Sequence, residues 1–161
     1  MKSIKQICLL SAGLVTLGLT SVSAEAFLRE RTESFPAGPG KSLRIDAASG
    51  QLEIRPGAPG VIVLNVLMHA KAGSEEKAAK AFDSMDFQFE DREGSLTLEI
   101  ESRGHSWFGF FKTTPRPEIT VIAECPPSTD LNLDTGSGDI LVEGIKGNIR
   151  PRQGLPQGHR Q

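Results

Sequence analysis

The chain has 161 residues, with 18 basic and 20 acidic side chains, a formal net charge of −2, 17 glycines and 10 prolines. That balance excludes an ordinary nucleic-acid binder, which needs clustered Lys and Arg against phosphate, and it gives no strong attraction to anionic lipid. Two cysteines are too few for a disulfide framework.

The chain opens on Met1-Lys2-Ser3-Ile4-Lys5, an apolar stretch from Ile7 to Leu19, and Thr20-Ser21-Val22-Ser23-Ala24. This is the charged start, apolar middle and small-residue cleavage pattern of a secretory signal. The apolar run is interrupted by Ser11, Gly13, Thr16 and Gly18 and falls short of the ~20 residues a spanning helix needs. Cleavage falls after Ala24 or, on the overlapping Ala24-Glu25-Ala26 pattern, two residues later. Cys8 lies at the start of the apolar run, away from a lipoprotein position. The expectation is an exported protein, periplasmic or at the cell surface, with residues 1–24 as signal and no transmembrane segment in the mature form.

Of the 161 residues, 137 follow Ala24, enough for one domain with a core. Loss of Lys2 and Lys5 takes the basic count from 18 to 16 against 20 acids. Only Cys125 is then left, so no internal bridge can form, and it is expected as a buried small hydrophobe.

Alternating apolar and polar residues dominate the rest, which predicts a mainly β fold. Leu43-Arg44-Ile45 and Leu52-Glu53-Ile54 flank Ala48-Ser49-Gly50 and read as two short strands joined by a turn. Val61 to His69 is rich in β-branched residues and predicts a largely buried strand. Ser74 as cap with Glu75 and Glu76 in the first turn predicts one surface helix, about 75–84, with Ala78, Ala79 and Phe82 on its apolar face. Phe87, Phe89, Leu96, Leu98 and Ile100 alternate around Asp91-Arg92-Glu93-Gly94 as a hairpin. Ile119 to Ala123 makes a further strand, closed by Pro126-Pro127.

One repeat organises these pieces. Residues 43–54, LRIDAASGQLEI, align without a gap on residues 131–142, LNLDTGSGDILV, at an offset of 88. In each copy a turn built on Ser49-Gly50 or Ser137-Gly138-Asp139 is expected, with the glycine at positive φ, the serine bonding nearby backbone, and a returning strand. A shorter echo of Gly138-Asp139-Ile140 follows at Gly147-Asn148-Ile149. Units of this size that recur and cannot bury their apolar faces alone predict stacked β-layers, a solenoid or solenoid-like sandwich.

These residues, Ala48 to Ile54, Ile119 to Pro126 and Leu131 to Gly144, resemble the DUF4097 family, the adhesin-like or "head domain" family of bacterial envelope proteins. The resemblance covers about Leu43 to Ile149. It implies a right-handed β-solenoid with pectate-lyase-like coils, and it brings no catalytic residues. A single domain over residues 25–149 is the corresponding expectation. The likeness stops at Arg150: residues 150–161 hold one apolar side chain apart from prolines. The expectation there is a disordered or frame-shifted tail of a truncated repeat protein, whose uncapped last layer exposes a strand edge suited to self-association.

Candidate chemistry is sparse. Gly38-Pro39-Gly40-Lys41-Ser42 ends like a phosphate loop but precedes a strand where a helix is required. Gly136-Ser137-Gly138-Asp139 is similar to a calcium-binding β-roll turn, with the Asp one place too early. His69, His105 and His159 are not paired at ligand spacing, so no metal or other cofactor is expected. Asp83 with Asp86, or Asp134 with Asp139, are the carboxylate pairs a glycosidase could use. The unusual feature is residues 105–112, HSWFGFFK, where Trp107, Phe108, Phe110 and Phe111 cannot all face one side of a strand. They serve either as a contact for a partner, a membrane surface or a glycan, or as a plug at an open end of the stack. The expected function is a noncatalytic exported envelope protein, an adhesin-like interaction scaffold for an envelope protein or glycan. An exported polysaccharide-active enzyme and a truncated remnant without its own role stand as alternatives.

Overall fold

The computed structural model describes residues 25–103 and 116–154. The predicted signal, the aromatic segment 105–112 and the last part of the tail lie outside the described residues. In chain order the elements are β1 (Glu25–Pro36), β2 (Ser42–Ala47), β3 (Gln51–Pro56), β4 (Val61–Ala72), α1 (Glu75–Asp83), β5 (Met85–Arg92), β6 (Ser95–Ser102), β7 (Glu118–Cys125), β8 (Asp130–Thr135), β9 (Ile140–Val142) and β10 (Ile149–Gln153).

Two five-stranded mixed sheets form, in the orders β1-β4-β7-β3-β9 and β10-β8-β2-β6-β5. The mainly β, layered architecture expected from the sequence is the one observed. β2 and β3 do not pair with each other, as strands of a hairpin would; they lie in opposite sheets. The Ser49-Gly50 turn is therefore a corner joining the two sheets. β8 and β9 repeat the arrangement, as do β6 and β7. Each of these pairs is one coil, and the coils stack as β6–β7, then β2–β3, then β8–β9, with parallel pairing throughout.

Register explains the repeat. Leu43 pairs with Leu131, Ile45 with Leu133 and Leu52 with Ile140, so the offset of 88 in the sequence is also the offset in the ladder. Like residues therefore stack inside the sandwich: Leu96, Leu43 and Leu131 in one row, Leu98, Ile45 and Leu133 in the next, all buried. The facing sheet supplies Val66, Val121 and Leu52, then Leu64, Ala123 and Ile54. Fully burying each leucine, isoleucine or valine in these rows stabilises the fold by ~1.5–3 kcal/mol.

The echo at Gly147-Asn148-Ile149 begins β10, which pairs in parallel with β8, Ile149 beside Leu131, at a spacing of 18 residues. One coil here is 18 residues and one sheet crossing about half of that. Residues 150–153, expected in an unstructured tail, instead complete this strand: their alternation is polar, but backbone pairing to β8 needs no apolar side chain.

At the other end the pairing turns antiparallel, with β1 against β4 and β5 against β6. β1 is absent from the sequence prediction because its inward positions are Arg29, Arg31 and Glu33, opposite Met68, Val66 and Leu64. Arg29 lies over the Phe82 ring and bonds Asp83 at 2.7 Å; Arg31 lies over Phe89. These guanidiniums close the sandwich edge, with Phe35 stacked on Phe89. Helix α1 crosses from β4 to β5. Ser74 caps it, accepting from the Lys77 N–H, and its buried face is Ala78, Ala81 and Phe82, with Ala79 only partly covered.

Candidate functional site

The corner between the sheets is where the sequence signals converge. Gly50 N–H donates to the Ser137 carbonyl at 2.9 Å, Leu52 N–H to the Asp139 carbonyl at 2.9 Å, and Gly136 N–H to the Ala47 carbonyl at 3.1 Å. The second and third coils thus bond to each other through the Ser-Gly turns themselves. Gly50 has φ 139° and Gly138 φ 134°, values open to glycine and strained for other residues. The Gly50 carbonyl occupies the place of a Gly138 Cβ, and the Ile119 carbonyl lies 2.8 Å from that of a Gly50 Cβ. At the Ser137 corner the side-chain-to-backbone bond expected of the serine is made by a neighbour: buried Thr135 donates through Oγ1 to the Ser137 carbonyl at 3.2 Å, and Ala47 stands at the matching position beside Ser49.

Topology fixes which two strands the aromatic segment separates in the sequence. β6 is parallel to β2 and β7 to β3, so β6 and β7 are placed in the first coil as β2 and β3 are in the second. Residues 48–50 join the two strands of the second coil and 136–139 those of the third, whereas fifteen residues, 103–117, separate β6 from β7. Trp107, Phe108, Phe110 and Phe111 lie within that insertion and outside the described residues. Its departing end is held by Arg103, whose N–H donates to the Ser84 carbonyl at 2.7 Å and whose Nη2 donates to Asp86 Oδ1 at 2.6 Å. That hydrogen bond keeps the Asp86 carboxyl below the usual aspartate range. Among the described residues a hollow of about 480 Å³ lies at this corner, lined in part by Ser49, Ser102, Arg116 and Ser137. The two sets of residues singled out in the sequence, the Ser-Gly turns and the flanks of the aromatic segment, therefore share one edge of the molecule.

Other candidates are dispersed. Asp83 and Asp86 bond different arginines, Arg29 and Arg103. Asp134 points outward from β8 while Asp139 follows the corner on the way into β9. Lys41 of the loop-like GPGKS run is buried and bonds the Pro36 carbonyl at 2.7 Å and Asp91. It ties the end of β1 to β5. Sequence reasoning overlooked this lysine as a structural tie, and the only signal was a Lys directly before an alternating strand. Cys125 is buried, and burial pushes its thiol pKa up, opposed by a hydrogen bond with Thr129.

The architecture defines a two-sheet β-stack with solenoid-type coils. No protein-family model matches the chain, so its likeness to DUF4097 rests on the residues quoted above. No curated protein matches it either. A crystal structure of a candidate cell adhesion protein from Clostridium sporogenes is 15% identical, with 78% of this chain and 57% of that chain covered and a TM-score of 0.41. The chain thus spans little more than half the length of that protein. Among the described residues no helix is long and apolar enough to cross a membrane.

Proposed function

We propose that the chain is an exported envelope protein of the DUF4097 kind that acts as a noncatalytic, adhesin-like interaction scaffold, its contact surface lying at the coil corner. One observation carries the reading: fifteen residues separate the end of β6 at Ser102 from the start of β7 at Glu118, where three separate β2 from β3 and four separate β8 from β9. Four of the fifteen are large aromatics, the side chains richest in contact energy at interfaces. A rigid stack suits presentation of that segment to a partner or glycan.

The test is a retention assay of the purified protein on immobilised envelope and plant glycans, scored also for new reducing ends. Retention without new ends, lost in the Trp107→Ser/Phe110→Ser variant with unchanged melting, supports the reading. New reducing ends would favour the polysaccharide-active enzyme. A variant that melts much earlier would make the aromatics a plug.

A further inference from the structure

The two ends of the stack differ. At the β1/β5 end, inward-facing Arg29, Arg31 and Glu33, the Phe35–Phe89 stack and α1 close the sandwich. At the β9/β10 end, Leu141 is 49% and Ile149 41% exposed, and Ile140, Val142 and Ile145 are only partly covered.

The ladders show which backbone groups face outward there. Leu131 N–H donates to the Asn148 carbonyl and Gly154 N–H to the Thr135 carbonyl, so even-numbered residues of β10 bond β8 and Ile149, Pro151 and Gln153 face away. Leu52 N–H donates to the Asp139 carbonyl and Glu143 N–H to the Ile54 carbonyl, so Ile140 and Val142 face away from β3. Pro151 sits where its missing N–H costs no bond within the chain.

Charge is distributed unequally over this end. The outer face of β9 is Leu141 flanked by Asp139 and Glu143; that of β10 carries Arg150 and Arg152, opposite Asn132 and Asp134. None of these four charged flanking groups, Asp139, Glu143, Arg150 and Arg152, is in an ion pair among the described residues.

We infer that a second copy of this chain docks on the β9/β10 end, about a two-fold axis along the strands that sets β9 of each copy antiparallel beside β10 of the other. In one register Val142 meets Ile149 of the second copy, Ile140 meets its Pro151, and Asp139, Leu141 and Glu143 meet its Arg152, Arg150 and Asn148. In the register two residues along, Leu141 and Glu143 meet Arg152 and Arg150. Acid meets arginine in both registers; inward apolar groups meet inward apolar groups throughout the first, whereas in the second Val142 meets Pro151 and Ile140 meets Gln153. A β9-to-β9 pairing would instead set acid against acid, and β10-to-β10 arginine against arginine. Eighteen residues beyond Ile140 and Val142 the sequence has Gly158 and Arg160, neither of which repeats their apolar character. An isologous contact about a two-fold axis uses the same end of each copy, so it stops at two copies.

Sedimentation velocity of the purified full chain across concentration tests this. A monomer–dimer equilibrium is expected, weakened about tenfold or more by Asp139→Lys/Glu143→Lys and by Arg150→Glu/Arg152→Glu, and restored when all four changes are combined. All four residues are exposed, so circular dichroism should report an unchanged fold. A chain monomeric at every concentration, a dimer indifferent to both charge reversals, or a dimer formed only after residues 155–161 are removed would overturn the inference, the last by assigning the end to the chain's own tail.

Discussion

Gly138 lies directly against Gly50, with the Gly50 carbonyl where a Gly138 Cβ would be, and this contact is what lets one Ser-Gly corner stack on the next. Gly138→Ala would combine a clash with backbone and a φ of 134°. The expected loss is about 3 kcal/mol or more by urea denaturation. Gly40→Ala is the control, since Gly40 has positive φ but open space around it; about 1 kcal/mol is expected there. Equal losses at both sites would remove the corner contact from the account.

Lys41 is 8% exposed and Asp91 33% exposed, so their ion pair is partly shielded from water. Lys41→Met removes the tie between β1 and β5 and leaves the Pro36 carbonyl and Asp91 without it. Thermal unfolding should show a loss of about 1–3 kcal/mol, below the cost for a fully buried pair because Asp91 stays hydrated.

Glu99, Asp46 and Asp134 are adjacent in one row on the outer face of their sheet. Like charges directly beside each other destabilise a ladder, so Asp46→Asn should stabilise the protein by about 0.5 kcal/mol at low salt. The gain should shrink at high salt, and a loss at low salt would contradict the reading.

The Cys125 thiol has its pKa raised by burial, so the folded state holds this proton more tightly than the unfolded chain. The stability it contributes is fully present below the usual thiol range near ~8.5 and is lost as pH rises towards the folded value. Alkylation at pH 8 should be about a hundredfold or more slower in the native protein than in urea. Equal rates would place the thiol at the surface.

Elements with one apolar face were legible in the sequence: β4, α1, the β5–β6 hairpin and both Ser-Gly copies show the period of their structure. What the repeat could not reveal was that Leu43 and Leu52 belong to opposite sheets, because alternation reports which face a side chain takes and not which strand lies beside it. β1 escaped because Arg29 and Arg31 occupy inward positions and cover aromatic rings, a use of arginine that reads as loop. Residues 150–153 escaped because this edge strand is held by backbone bonds to β8 and by the Gln153 side chain, which donates to the Gly138 carbonyl at 3.1 Å, and not by apolar side chains. At the site, the composition of residues 105–112 was visible, but that the strands on either side of it belong to one coil became clear only from the parallel registers of β6 with β2 and β7 with β3.

The most direct test of the stacked corners is disulfide trapping in a Cys125→Ala background. Arg44 and Asn132 are ladder partners on adjacent parallel strands, whereas Arg44 and Glu53 lie in different sheets. Neighbouring strands ~4.8 Å apart are within disulfide reach. Arg44→Cys/Asn132→Cys should cross-link on mild oxidation and Arg44→Cys/Glu53→Cys should not; the reverse result would mean that residues 43–54 form a hairpin and that the coils do not stack.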